Sequence, residues 1–146
     1  MSVDNGVQNK KEVNEEEVEF PQTWEALVEQ NPLLAGLPVL LPAEQFTFDV
    51  SARFEQVRTR MYVAYNDSTR NDDDSTAVDM VEERVAALRD MIAFLKTITE
   101  EPAKVDEFTS GIDVNTLFLV FLVVVQFYAD QLGKSALSKT SSTSTK

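Results

Sequence analysis

The chain has 146 residues with no cysteine and no histidine, and 25 acidic against 13 basic side chains give it a net charge of -12. This length suits one domain. The absence of both residue types excludes disulfides and thiolate metal sites, and it removes the commonest general base. The negative charge repels nucleic acid and anionic membrane surfaces. We therefore expect no cofactor, no metal site and no nucleic acid partner.

Both ends of the chain have the composition of unstructured segments. Met1 to Glu19 is polar and acidic, and its isolated valines bury too little apolar surface to offset the entropy of ordering. Ser135 to Lys146 consists mainly of Ser, Thr and Lys without an apolar period. The sequence thus predicts a disordered acidic tail over residues 1–19, a helical domain over residues 20–133 and a flexible Ser/Thr/Lys-rich tail over residues 134–146.

The domain begins with a short predicted helix from Trp24 to Gln30, which Thr23 caps and Asn31-Pro32 ends. The next stretch, Leu33 to Pro42, contains glycine and proline among leucines, which favours extended chain packed on a surface. A short strand over Val39-Leu40-Leu41 is compatible with this composition.

Two longer helices are predicted from apolar residues that recur every three to four positions. The first begins at Asp49 and ends by Asn66, and a polar loop runs from Asn66 to Ser75. The second begins at Ser75 or Thr76 and ends at Glu100-Glu101-Pro102. Its predicted apolar seam is formed by Val78, Val81, Val85, Leu88, Ile92 and Leu95.

A last predicted helix, Val114 to Leu132, follows a helical turn around Ala103 to Phe108 and a break at Thr109-Ser110-Gly111. Asp113 is its expected N-cap and Gly133 its expected C-terminal glycine cap. The predicted fold class is therefore mainly α, a small helical bundle with an unstructured tail at each end.

Within that helix, the segment Leu117 to Val125 is apolar without interruption, so it must be buried all round, enter lipid or bind another chain. In a structural interpretation it is the central helix of the bundle. Because few other long helices are available to cover it, we expect Phe118, Leu122 and Val125 to stay accessible as a partner-binding surface. The sequence leaves open whether that partner is a second copy or a client protein.

Three alternatives come from other functional classes. A C-terminal membrane anchor explains the apolar segment, but Asn115 and Gln126 bound a run shorter than the ~20 residues that a spanning helix needs. An acidic decoy of a DNA-binding protein explains the charge, yet the carboxylates are scattered along the chain. An enzyme is disfavoured because no nucleophile motif, glycine-rich phosphate loop or metal-ligand spacing occurs.

The layout of the chain resembles the tail assembly chaperones of long-tailed, siphovirus-type bacteriophages. The resemblance covers residues from Thr23 onward. It consists of a small acidic helical domain with Ala93-Phe94-Leu95-Lys96 near the end of one helix, the acidic connector Glu100-Glu101-Pro102, the helix Val114 to Leu132, and Gly133-Lys134-Ser135.

Proteins of that family are typically made in two forms, the longer by a -1 ribosomal frameshift, and Leu132-Gly133-Lys134 is compatible with a slippery codon heptamer. The resemblance implies a non-catalytic protein of the host cytoplasm that is absent from the mature virion. It further implies that the protein binds the tape measure protein and helps to recruit tail tube subunits. A homo-oligomer is left open.

Overall fold

The computed structural model describes the backbone of residues 20–67 and 74–144 and the side chains of residues 20–66 and 77–139. Over these residues the fold is helical, without a β-strand, which confirms the predicted mainly α class. The predicted N-terminal tail and most of the predicted loop before the second long helix lie outside the described residues.

Five α-helices and two short 3-10 helices make up the described chain. The 3-10 helices are Pro32–Gly36 and Ala43–Gln45. The α-helices are α1 (Trp24–Gln30), α2 (Phe48–Asp67), α3 (Asp74–Thr97), α4 (Pro102–Thr109) and α5 (Val114–Ser144).

Helix α1 has the predicted bounds and the predicted cap, since the Thr23 hydroxyl accepts a hydrogen bond of 3.1 Å from the amide of Ala26. The proposed strand over residues 39–41 is wrong, because this segment has no strand beside it. Its backbone is instead held by the turn after α3, where the Leu41 amide donates to the Ile98 carbonyl at 2.8 Å.

The three long helices pack side by side. Arg60 on α2 forms an ion pair of 2.9 Å with Asp90 on α3, while Phe54, earlier on α2, contacts Phe94, later on α3. The two helices are therefore antiparallel. Arg84 on α3 donates to the Asn115 side chain at the beginning of α5. Further along both helices, the Phe94 and Tyr128 rings contact a common neighbour, Phe46, so α3 and α5 run parallel.

Helix α4 makes the return connection that a parallel pair of helices requires. The Lys96 ammonium lies 2.9 Å from the Asp106 carboxylate, and the Phe108 ring lies 5.9 Å from the Phe121 ring. A glycine permits close packing here, because a Cβ atom on Gly36 would lie only 3.1 Å from the Phe108 ring. Helix α4 thus joins α3 and α5 on one side and contacts the N-terminal segment on the other.

An aromatic cluster of Phe46, Phe54, Phe94 and Tyr128 occupies the core where the N-terminal segment, α2, α3 and α5 meet. The centroids of its contacting rings lie 5.2 to 6.3 Å apart. The Tyr128 hydroxyl donates to the Leu41 carbonyl at 2.8 Å. Burial raises the pKa of Tyr128, so this hydroxyl keeps its proton at all physiological pH values.

The predicted break before α5 is confirmed. Gly111 has a φ of +79°, a conformation that side chains other than glycine adopt only at a cost, and it turns the chain between α4 and α5. Asp113 then caps α5, since its Oδ2 accepts a hydrogen bond of 3.1 Å from the amide of Thr116. This turn helps to determine the position along α3 at which α5 begins.

The predicted end of the last helix is wrong. Helix α5 does not stop at Leu132 but continues through Gly133 to Ser144, so residues 134–144 of the predicted flexible tail are helical. A glycine inside a helix costs only about 1 kcal/mol, and no proline follows to break the hydrogen-bond pattern. Leu137 on this extension is 69% exposed, so the helix projects beyond the packed core.

Candidate functional site

The predicted partner-binding residues do not form an exposed surface. Phe118 and Val125 are fully buried, and Leu122 is half-buried against the core. The prediction of an accessible face at these positions is therefore wrong. The reason is that short elements also pack on α5, whereas the prediction considered only long helices as cover for it. Trp24 on α1 meets Phe127 at 5.7 Å, for example.

Phe118 also has a polar cover that apolar periodicity does not reveal. The Arg84 guanidinium lies 5.0 Å from the centre of the Phe118 ring, where a cation is attracted to the face of an aromatic ring. The same guanidinium donates to Asn115, one turn earlier on α5. Arg84 therefore fixes the first turn of α5 on α3 and shields its first buried aromatic ring.

Helix α5 is the one helix of the described chain that is long and apolar enough to cross a membrane, over Val114–Lys139 with a mean hydropathy of 1.6. The core helix of a water-soluble protein can have the same length and composition, and 39% of the apolar window is buried inside the fold. Its outer face is apolar in part, since Leu119 is 54% exposed. Helix α5 thus has the composition of a spanning helix and, in this fold, the position of a core helix.

Helix α3 has exposed apolar side chains in the part of its predicted apolar seam that precedes Leu88. Val78 is 57% exposed and Val81 is 53% exposed, and Val85 below them is half-buried. Their spacing of three and four residues places the three side chains on one face of the helix. We name Val78, Val81 and Val85 the valine stripe.

The valine stripe is exposed because α5 begins too far along α3 to cover it. Arg84 contacts the first turn of α5, so the turns of α3 before Arg84 extend past the N-terminal end of α5. Beyond Arg84 the same seam is packed, since Leu88 is 4% exposed and Leu95 is fully buried. The predicted apolar seam is thus correct for the second half of α3 and wrong for its first half.

A groove lies between α2 and α3 on a face of α3 different from that of the valine stripe. It has a volume of about 930 Å³, and Val63, Ala64 and Ala86 provide its apolar surface. Val63 is 49% exposed within it. We name this feature the acidic groove, because four of its lining side chains are the carboxylates Glu55, Asp79, Glu82 and Glu83.

Among the described side chains that line the acidic groove, the one cation is Arg60, and its guanidinium is paired with the Asp90 carboxylate at 2.9 Å. The Glu55 carboxylate is paired with Arg58, also at 2.9 Å. The groove therefore has a net negative charge with an apolar floor. A helix that carries apolar and basic side chains on one face has the complementary chemistry.

Among the residues with described side chains, no group of three or more His, Cys, Asp or Glu is placed to hold a metal ion. The buried side chains of that part of the chain are all apolar except Tyr128, whose hydroxyl is bonded to the backbone. Both exposed features, the valine stripe and the acidic groove, are surfaces suited to binding another polypeptide.

In comparisons with known protein families, curated proteins and solved structures, the chain matches none of them.

Proposed function

We propose that this protein is a non-catalytic tail assembly chaperone of a siphovirus-type bacteriophage, which binds the tape measure protein and helps to recruit tail tube subunits. The observation that supports this proposal best is the valine stripe. It is an exposed apolar helix face at one end of a small, strongly acidic domain. A tail assembly chaperone needs such an exposed apolar surface to bind a long helical client.

The chemistry of the stripe fits an amphipathic helical client. Val78, Val81 and Val85 are spaced as the anchors of one helix face, which is how helices pack on one another. A net charge of -12 opposes non-specific aggregation of copies through their exposed apolar faces. A client helix bound along α3 would continue the buried seam that ends near Leu88.

The position of the possible frameshift site is also compatible with this function. Tyr128 is the last buried residue among the described side chains of α5, and Gly133 and Lys134 are exposed. A longer form whose sequence changes after Lys134 would keep every buried side chain of the domain. Such a form could carry an added domain for the tail tube protein on the projecting end of α5.

A binding experiment with matched variants tests the client surface. Val78→Asp with Val81→Asp should abolish co-purification with the tape measure protein that this proposal names as the client. Leu119→Asp, an equally exposed residue on α5, should leave co-purification unchanged. Both variants should remain folded, since substitutions at exposed positions change stability by about 0.5 kcal/mol or less. Full binding by the double valine variant would contradict the assignment of the client to this stripe.

The gene itself provides an independent test of the functional class. The codons for Leu132-Gly133-Lys134 should spell a slippery heptamer that opens into a long overlapping -1 frame. An ordinary sequence at these codons with no overlapping frame would remove the frameshifted form from the proposal. If the tape measure protein also failed to bind, the chaperone function itself would be overturned.

A further inference from the structure

We infer that the projecting end of α5, residues 134–144, docks into the acidic groove of a second copy of this chain, so that the protein associates head to tail. The occupant and its site are both present in one chain, at opposite ends of the molecule. The inference is independent of the proposed chaperone function, because it uses neither the valine stripe nor a client.

The charge of the projecting segment complements that of the groove. Residues 134–146 contain Lys134, Lys139 and Lys146 and no acidic residue, in a chain whose net charge is -12. The groove carries carboxylates such as Glu82 and Glu83 near its apolar floor. A basic segment of this chain is thus attracted to the acidic groove of another copy.

The apolar chemistry of the two surfaces also matches. Leu137 is 69% exposed at the centre of the projecting segment, and Lys134 lies one turn before it on α5. The floor of the acidic groove offers Val63, Ala64 and Ala86. A leucine with flanking lysines therefore meets small apolar residues with flanking carboxylates, which is the usual composition of a helix that packs in a groove.

The dimensions agree as well. From Lys134 to Ser144 the helix rises about 15 Å at 1.5 Å per residue. The part of α2 that lines the groove, from Glu55 to Ala64, rises about 14 Å on the same basis. The projecting segment therefore has the length needed to lie along the groove.

The directions of the helices exclude a closed contact within one chain. Because α3 and α5 run parallel, the free end of α3 and the free end of α5 point away from each other. The contact joins different patches of two copies, and a dimer that contains one such contact keeps a free groove and a free helix end. Association should therefore continue beyond the dimer as concentration rises.

Sedimentation velocity of the full chain over a range of concentrations tests the association directly. We expect the mean mass to rise with concentration at low salt and to fall toward that of the monomer at about 1 M salt, where the Debye length shortens to roughly 3 Å. A monomer at every concentration and salt would overturn the inference and assign the groove to a different partner.

Two single variants then distinguish head-to-tail contact from a symmetric dimer. Leu137→Glu removes the apolar anchor and adds a negative charge to the projecting helix, and Val63→Arg blocks the groove with a cation. Each variant alone should be monomeric, because each lacks one half of the contact. Their equimolar mixture should form a dimer and no larger species, since one intact groove and one intact helix end remain.

A mixture that stays monomeric, although the wild type associates, would overturn the head-to-tail arrangement. Glu44→Lys, an exposed charge change at a residue that belongs to neither surface, is the control and should associate like the wild type. Far-UV circular dichroism of each variant checks that the fold is retained. Both target residues are exposed, so their substitution leaves the core intact.

Discussion

The two ends of the hairpin formed by α2 and α3 have the same kind of sequence and different surroundings. At one end, Phe54 and Phe94 are fully buried in the aromatic cluster, covered by α5 and the N-terminal segment. At the other end, Val63, Val78 and Val81 are about half exposed. The apolar period of α3 continues through both ends without a change.

This difference shows that the other helices of the domain cover only part of the apolar face of α3. The sequence continues that face to the uncovered beginning of α3. Helix α5 begins opposite Arg84, and its own far end projects past the core. At the opposite end of the hairpin Met61 and Ala64 are buried between α2 and α3, whereas Val78 and Val81 are more than half exposed. Apolar spacing that continues beyond the available cover indicates a surface whose partner is another chain. Stability should therefore depend on one end of the hairpin and association on the other.

The largest effect is expected from a charge placed in the covered part. Val124→Asp puts a carboxylate at a fully buried position on α5 without a partner, which should unfold the domain. Leu119→Asp, on the exposed face of the same helix, should change the free energy of unfolding by about 0.5 kcal/mol or less. Urea denaturation followed by circular dichroism measures both. A folded Val124→Asp variant with normal stability would refute the placement of α5 at the centre of the core.

The next largest effect compares the two ends of the hairpin on α3 itself. Phe94→Ala empties a fully buried site in the aromatic cluster and should lower the free energy of unfolding by about 3 to 5 kcal/mol. Val81→Ala, at the bare end of the same helix, should lower it by well under 1 kcal/mol. Equal losses for the two variants would mean that the valine stripe is already covered in the isolated protein.

The comparison also separates what the sequence predicts from what it does not. Local signals were sufficient for the bounds of α1, the break at Gly111 and the cap at Asp113, because each depends on a few neighbouring residues. They were insufficient at Gly133, where a glycine typical of a helix end lies inside a helix. The sequence has no proline after Gly133 to interrupt the hydrogen-bond pattern, so one glycine did not end the helix.

The candidate site was predicted less well than the fold, for a related reason. Phe118 and Val125 are buried, and Val78 and Val81 are exposed, in the reverse of the predicted assignment. Exposure at these positions depends on the level at which α5 meets α3. Arg84 sets that level through Asn115 and Phe118, and a polar contact between distant residues leaves no periodic signal in the sequence.

A smaller effect is expected from the hydrogen bond that fastens the extended N-terminal segment at the covered end. Tyr128→Phe removes the donor to the Leu41 carbonyl and should cost about 1 kcal/mol. The ring stays in place, so the aromatic contacts with Phe46 and Phe54 remain. Thermal denaturation should show a lower midpoint with unchanged cooperativity. An unchanged midpoint would indicate that water replaces the hydroxyl at this carbonyl.

The smallest effect is expected from Asp113, which caps α5 near the point on α3 where contact between the two helices begins. Hydrogen bonds from the Thr116 side chain and backbone lower the pKa of the Asp113 carboxyl from its usual value. A carboxyl whose pKa is lower in the folded state stabilises that state above its unfolded pKa, and this stabilisation is lost as pH falls through the folded pKa. The difference in melting temperature between wild type and Asp113→Ala should accordingly be present at pH 7 and diminish between roughly pH 5 and pH 2.

Asp113→Asn is the matched variant, because its side-chain oxygen keeps an acceptor for the Thr116 amide without an ionisable charge. Its melting temperature relative to that of Asp113→Ala should be independent of pH over the same range. A pH-dependent difference in the asparagine variant would show that groups other than Asp113 cause the titration. A flat difference, with a titrating wild type, would establish that the Asp113 carboxylate stabilises the folded protein as the cap of α5.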